Sequence, residues 1–288
     1  MVKFTVILPV EIRTMKFLRF IAPLLLIVNF AFAAFLEARS LDEIKQSGVI
    51  RVGLLEYDSS ALGWRDKNGT YIDYDVYLAE RIAKDLGVRL ERVFLKTKRR
   101  IPYVREGVVD IMLANFTVTE ERARWVDFAQ PYMKIALGVI SPASAPIKSP
   151  TDMEGKRLIV VESTTSQNYL ENHPAEDMKV IAFDTYTQAF AALKNGEADG
   201  FLCDSTIAVS WTNANPDFVA EITNLGNRDV IAPAVQKGNF SLMAWLNDEI
   251  VKLGEENFLL EAYEKTLKRK FGNKMSPQDV IIDEWRVR

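Results

Sequence analysis

The residues with the clearest chemistry lie between Leu113 and Tyr132, in the run LANFTVTEERARWVDFAQPY. Val109 to Leu113, interrupted by Asp110, reads as an apolar strand. A small polar turn follows, Asn115-Phe116-Thr117-Val118-Thr119, and then a charged segment, Glu120 to Arg124, that reads as a helix start capped by Thr119. A turn that leaves a strand and opens a helix presents unpaired backbone N–H groups and hydroxyls together, which suits an anion. Arg122, three residues past Thr119, can add a planar fork that grips a carboxylate with two hydrogen bonds. The same spacing also fits an ordinary capped surface helix with a solvated arginine.

The segments that must position this turn alternate between strand and helix patterns. Leu41 to Gly48 reads as a short helix capped by Ser40, and Val49 to Leu54 as a strand. Asp66 to Thr70 centres on Asn-Gly, a hairpin signal. Tyr74 to Gly87 is an amphipathic helix, with Val76, Ala79, Ile82, Ala83 and Leu86 on one face and Gly87 as its C-cap. Leu90 to Leu95 is a strand, Ile101 to Gly107 a helix and Val108 to Leu113 the strand that enters the turn. Between them Lys96 to Arg100 is a basic run, which reads first as a solvated face. Further on, Met133 to Ser141 is a near-continuous apolar strand and Arg157 to Val161, Val180 to Phe183 and Asp199 to Cys203 are strands, with Thr185 to Asn195 a helix. Asp204 directly follows the last of these strands and can cap a helix from Ser205 onward. Trp211 to Glu221 reads as surface, Ser241 to Leu253 as an amphipathic helix and Phe258 to Phe271 as a terminal helix. Such alternation implies an α/β architecture.

Composition narrows the classes. The chain has 288 residues, 48% hydrophobic and 26% charged, as soluble domains do. Its net charge of −3 argues against a nucleic-acid surface. With the single cysteine Cys203 no internal disulfide can form, and the single histidine, His173, lacks a Cys or His partner for a metal. No cofactor or metal is expected. Phe17 to Leu36 is the only long apolar run, preceded by Lys16 and Arg19 and ending near Ala31-Phe32-Ala33. It reads as a secretory signal peptide cleaved near Ala33, with residues 1–14 an upstream extension and Met15 the true start, or as an uncleaved membrane anchor. No cysteine near the cleavage region offers a lipoprotein anchor.

Thr117, Thr119, Arg122, Asp127, Phe128, Pro131 and Tyr132 together resemble the signature of the polar amino-acid binding proteins that feed bacterial ABC importers. The resemblance spans residues of about 41–284 and implies the type II periplasmic-binding-protein fold, two Rossmann-like lobes joined by two hinge strands. It implies a first lobe of residues 40–137 and 232–288 and a second of 138–231, after a leader of residues 1–33, with Met133 to Ser141 and Gly226 to Val235 as crossings and the terminal helix on the first lobe. In this resemblance Arg122, with the turn at Thr117 and Thr119, holds a ligand α-carboxylate, Thr164 and Thr165 close on it from the other lobe, Asp204 pairs with the α-ammonium, and Asn115 is a further ligand-binding residue. Ser163 departs from the usual glycine before the threonines. The Pro-Pro-Phe of relatives is replaced by Ser60-Ala61-Leu62, leaving Tyr57 and Trp64 to stack on a ligand or to pack in the interior. Arg100 lies near the cleft in relatives.

The function implied is a periplasmic, monomeric, non-enzymatic binding protein. It closes like a flytrap on a small polar amino acid and delivers it to the permease of an ABC importer. The phrases ANFT, DFAQPYMKIALGV and LGNRDVIAPAV look closest to a cysteine-binding branch, so cysteine is the first expectation and aspartate or glutamate the next. A dicarboxylate becomes the better expectation if Arg100 points into the cleft, since an unpaired buried guanidinium is costly. Two other classes share the fold: a surface antigen or adhesin, and an arogenate- or prephenate-type dehydratase. The dehydratase would need a cleft acid or base, for which Glu56 and Glu162 are the nearest candidates, neither with a partner base.

Overall fold

Local capping signals set the first elements. In this computed structural model, which describes residues 38–56 and 62–282, Ser40 and Glu43 form a reciprocal capping box that starts α1 (Leu41–Ser47). Gly48 ends the helix in the left-handed region at φ 66° and turns the chain into β1 (Val49–Leu55). Residues 1–33, read as a leader, lie outside the described residues, as does Tyr57. The Asn-Gly segment joins β2 (Trp64–Arg65) to β3 (Tyr71–Ile72), with Asp66 accepting from the Asn68 and Thr70 N–H groups. Asp73 caps α2 (Tyr74–Leu86), whose apolar face of Leu78, Ala79 and Ile82 is fully covered. Next come β4 (Arg89–Leu95), a 3-10 turn at Thr97–Arg99, α3 (Arg100–Arg105), β5 (Ile111–Met112), α4 (Glu120–Ala123) and β6 (Val126–Phe128).

The chain then enters a second sheet through β7 (Met133–Pro142), followed by β8 (Arg157–Val161), α5 (Thr165–Asn172), β9 (Lys179–Phe183), α6 (Tyr186–Lys194), β10 (Gly200–Asp204), α7 (Ser205–Ala214) and β11 (Phe218–Ile231). It returns to the first sheet as β12 (Ala234–Gln236) and ends in α8 (Phe240–Glu255), α9 (Phe258–Thr266), α10 (Lys268–Phe271) and α11 (Pro277–Val280). The first sheet has the order β4-β1-β5-β12-β6 and the second β11-β7-β10-β8-β9. Each is a mixed α/β sheet with helices over it, so the molecule has two lobes of the type II periplasmic-binding-protein fold.

Burial on both faces of the sheets explains the near-continuous apolar strands. Ile50, Val52 and Leu54 pack with Ile82, Leu246 and Ile250 on one side of the first sheet, while Leu95, Met112, Phe116 and Val126 fill the other. In the second sheet Phe201 packs with Ala189 and Ile207, and Leu158, Val160 and Leu202 face the opposite way. Each lobe also carries an arginine–aspartate fork at one sheet end. Asp110 accepts from the Arg51 guanidinium and the Arg51 N–H, and Asp199 takes the same two groups of Arg157.

The two connections between lobes run side by side. Tyr132 N–H donates to Ile231 O at 3.0 Å and Ala129 N–H to Pro233 O at 2.9 Å, so the chain changes sheets near Tyr132 going out and at Ala232-Pro233 coming back. Two expectations differ from the structure. Trp211, read as the start of a surface segment, lies buried in α7 and stacks on Phe190 with ring centroids 4.8 Å apart, because helical spacing turns it inward. The terminal helix breaks at Leu267. Its first part, α9, packs on α2 and α8 in the first lobe, but α10 lies against α7 of the second, where Asn213 donates to Lys270 O at 3.1 Å.

Candidate functional site

The polar turn after β5 carries the site. Ala114 and Asn115 both sit in the left-handed region, at φ 45° and 48°, which swings the chain out of the sheet before Thr119 caps α4. Thr119 Oγ1 accepts from Arg122 N–H at 3.2 Å, as the sequence spacing implies. Arg122 is buried rather than solvated, so the reading of a free surface arginine does not hold. Its guanidinium donates to Thr117 O at 2.7 Å and, across the cleft, to Ser163 O at 3.1 Å. Arg100 joins it from α3, donating to Thr97 O at 3.1 Å, Asn115 O at 3.0 Å and Ser163 O at 2.9 Å. Both guanidinium carbons lie over the Phe116 ring, at 4.8 and 5.1 Å from its centroid. Among the described residues neither arginine has a carboxylate within ion-pair distance; main-chain carbonyls and the ring face are their partners.

The second lobe answers with Ser163, Thr164, Thr165 and Asp204. Ser163, standing where relatives use glycine, adopts φ 60°, and this aims its carbonyl at both arginines. Thr164 caps α5 and donates its hydroxyl to Val161 O at 2.6 Å, so its side chain serves the helix end. The first-turn N–H groups of Thr165 and Ser166 have no intrahelical acceptor. Asp204 occupies the N-cap position of α7 but makes no side-chain cap bond there. Its carboxylate instead accepts from Asn115 Nδ2 at 2.6 Å across the cleft.

Burial governs the electrostatics. It pushes the Asp204 carboxyl up to about 6, against the pull of Asn115, Arg100 and Arg122. Burial and the neighbouring Arg100 bring the Arg122 guanidinium down to about 9. Burial also lowers Arg100 and raises the Cys203 thiol and the Tyr186 hydroxyl. Asp229 on β11 is half-buried; burial raises its carboxyl while Arg122 draws it down.

At the rim, lysines of the first lobe reach acids of the second. Lys98 pairs with Asp184 and with Glu162 at 3.4 Å, and Lys96 approaches Asp184 at 3.7 Å. The basic run is exposed at Lys98 and Arg99, as a solvated face would be, but its lysines also make interlobe contacts and Arg100 is buried. Glu162, the candidate acid of a dehydratase, is occupied in this rim pairing. Thr97 Oγ1 donates to Glu162 O at 2.8 Å and Asn168 Nδ2 to Glu121 at 3.2 Å.

The structure thus brings together Asn115, Thr117, Arg122, Arg100 and Asp204, with Thr119 capping the helix of Arg122 and with Thr164 and Thr165 at the start of α5 next to Ser163. Trp64 is placed elsewhere: its indole N–H donates to Thr266 O at 3.4 Å and Arg269 covers its ring at 4.6 Å. Asp75, Tyr186, Asp229 and the Ser163 carbonyl were not picked out as site groups from the sequence. Only Ser163 carried a visible signal, a serine where glycine is usual. A cavity of about 260 Å³ between the C-terminal segment and strands β7 and β11, lined by Lys134, Arg228, Lys274 and Asp279 among others, includes none of the carboxylate-gripping groups. Among the described residues no cluster of His, Cys, Asp or Glu has metal-site geometry.

Residues 50–269 match the model of the bacterial extracellular solute-binding proteins, family 3. This chain belongs to that family. As a family 3 solute-binding protein it is similar to the ABC transporter glutamine-binding protein GlnH of Bacillus subtilis, 30% identical over 236 residues that cover 80% of this chain and 85% of that one. The structure of a solute receptor for L-cysteine of Neisseria gonorrhoeae is similar at a TM-score of 0.80 with 41% identity, covering 85% of this chain and 100% of that chain. The cysteine-binding protein of Campylobacter jejuni gives 0.79 and 41%, covering 84% and 98%. These relatives are binding proteins, not enzymes.

Proposed function

We propose that this family 3 protein captures a small polar amino acid between its lobes in the periplasm and hands it to the permease of an ABC importer. The observation that carries the reading is a charge pattern across the cleft. Two buried guanidiniums lacking any carboxylate partner among the described residues stand on one side, and the buried Asp204 on the other. A zwitterion supplies both missing charges, and without them the desolvation of such groups is costly. Arg122, with the turn at Thr117 and Thr119 and the first-turn amides of α5, takes the α-carboxylate; Asp204 and the Asn115 side chain take the α-ammonium.

Cysteine is the first choice of ligand and aspartate or glutamate the next. Arg100 does reach the cleft, the condition that would favour a dicarboxylate. Its Nε and both terminal nitrogens, however, donate to main-chain carbonyls, which makes it wall rather than a second grip. Beside Asn115 a cavity of only about 10 Å³ is lined by Leu54, Leu55, Leu62 and Met133 together with Tyr71, Tyr74 and the acids Asp73 and Asp75, which would repel a second carboxylate. A thiol suits that wall better than a second carboxylate. The similarity to the two cysteine receptors supports the same order.

Residues 1–33 are the cleaved signal peptide, the mature protein is a monomer, and the lobes close on the ligand by hinging at Tyr132 and at Ala232-Pro233. Native mass spectrometry of the purified mature protein, with a thermal-shift screen of the common amino acids, tests the assignment. Stabilisation by L-cysteine is expected. Stabilisation by aspartate or glutamate without cysteine reverses the order, and stabilisation only by aromatic or large basic amino acids overturns it.

A further inference from the structure

Asp75 stands in the first turn of α2 and is not among the groups that would hold the ligand's charges, yet it is buried and both its oxygens are engaged. Oδ2 accepts from the Asn115 N–H at 2.7 Å and Oδ1 from the Tyr132 hydroxyl at 2.6 Å. These partners are not ordinary core groups. Asn115 is the second of two consecutive non-glycine residues in the left-handed region, a conformation that costs roughly 1–2 kcal/mol per residue and persists only where the surroundings impose it. From that backbone its side chain reaches Asp204 and its carbonyl reaches Arg100. Tyr132 immediately precedes β7, and its N–H binds Ile231 O on the returning connection. Its ring stacks on Tyr74, the residue before Asp75, with centroids 6.0 Å apart.

We propose that Asp75 is a positioning residue, fixing the strained Ala114-Asn115 turn that presents Asn115 to Asp204 and tying that turn through Tyr132 to the hinge. The proposal rests on the amino-acid reading of the site for its effect on affinity, but not for its effect on the turn. The ionised carboxylate is the form that accepts from both donors; a protonated carboxyl gives up one acceptor position. The charged and titratable groups around it are Asp73 at the cap of the same helix, Tyr74, Tyr132 and, from α3, Arg100. Burial and Asp73 push the Asp75 carboxyl up to about 7, so the strength of its hold changes in an accessible range.

The test uses Asp75→Asn and Tyr132→Phe in the full mature protein. Without added ligand, hydrogen exchange at the Asn115 amide is expected to speed up about tenfold or more in Asp75→Asn while amides in the middle of β1 keep their protection. With L-cysteine and L-glutamine as probes, Asp75→Asn is expected to bind about tenfold more weakly than wild type near pH 8 and nearly as well as wild type near pH 6, where the wild-type carboxyl is itself protonated. Taking the ratio of variant to wild type at each pH cancels the titration of Asp204, common to both. Should Asp75→Asn fail to fold, Tyr132→Phe carries the test. Losing that donor should raise the pH at which affinity falls and loosen the Asn115 amide. Unchanged exchange at Asn115, or an affinity ratio that stays the same from about pH 8 to about pH 6, overturns the proposal. If wild type binds neither probe, the amino-acid reading is what fails, and the exchange measurement still decides the role of Asp75.

Discussion

Asn115 and Asp204, which sit 89 positions apart in the chain, meet at 2.6 Å across the boundary between the two lobes. The amide donates from the first lobe and the carboxylate accepts in the second, so the bond exists only while the lobes are together. If the lobes hinge apart, this bond and the arginine contacts to Ser163 are the ones broken. Small-angle scattering with saturating L-cysteine should show a more compact particle than without it; identical profiles would count against closure on the ligand.

Arg122 is expected to be the strongest single determinant of affinity. Removing one partner of a buried charge pair costs roughly 2–5 kcal/mol, or about 30-fold to several-thousand-fold in affinity. Calorimetry on Arg122→Ala with L-cysteine should fall in that range. A loss of less than about threefold would show that the carboxylate is held elsewhere.

Asp204 is expected to set the acid limb of binding. Its carboxyl is raised to about 6, so its contribution to folding is fully present in acid, below the ordinary carboxyl range, and is lost as pH climbs through that value. An ammonium ligand reverses the sign at this residue, because it pairs only with the carboxylate. The rise in melting temperature produced by L-cysteine should therefore shrink as pH is lowered from about 7 to about 5, and affinity should drop by up to about tenfold per unit below about 6. Asp204→Asn should bind weakly at both ends and lose the steep fall below about 6, keeping only the change near 7 that Asp75 produces. A wild-type profile flat across this window would rule out the ammonium role.

The rim pairing of Lys98 with Asp184 and Glu162 is exposed and should tune closure only slightly. Lys98→Ala is expected to weaken binding by about threefold or less at low salt, with the difference from wild type vanishing near 1 M salt. A salt-independent loss larger than that would give Lys98 a direct ligand contact.

The Asp110 fork separates stability from binding. Asp110 is buried and shared by Arg39, Arg51 and the Arg51 N–H, at the end of the short strand β5 opposite the cleft turn. Asp110→Asn should cost about 2–3 kcal/mol, toward the low end for breaking a buried pair because both arginines are partly exposed. Denaturant unfolding should record that loss while calorimetry on the folded variant finds the same affinity as wild type.

What was legible in the sequence and what was not follows from range. The cap of Thr119 on Arg122 and the placement of Asp204 at a strand end are local relations, fixed by spacings of a few residues. The alternation of strands and helices was legible for the same reason. The partnership of Asp75 with Asn115 was not, because it depends on how α2 settles against the end of β5, and an acid in a first helical turn looks like routine dipole complementation. The inward turn of Trp211 reflects which helix face meets a sheet, and the seat of Trp64 against Thr266 and Arg269 reflects where β2 meets the C-terminal helices, again tertiary matters. Lys98 looked like solvent-facing charge because its partners lie in the other lobe.

The path of the last helices has a mechanical consequence. A body joined to another by two adjacent strands can swing about them as a door does on closely set pins. Here the chain makes a further passage: α9 is seated on the first lobe, α10 on α7, and the segment after α11 bridges Ile281 to Met133 at the root of β7. That third strap ends against Met133, next to the outgoing connection at Tyr132, and a swing of the lobes would also load the backbone around Leu267, where the helix is broken. If the lobes swing as proposed, the break at Leu267 offers slack for the motion, and stiffening it should act as a doorstop.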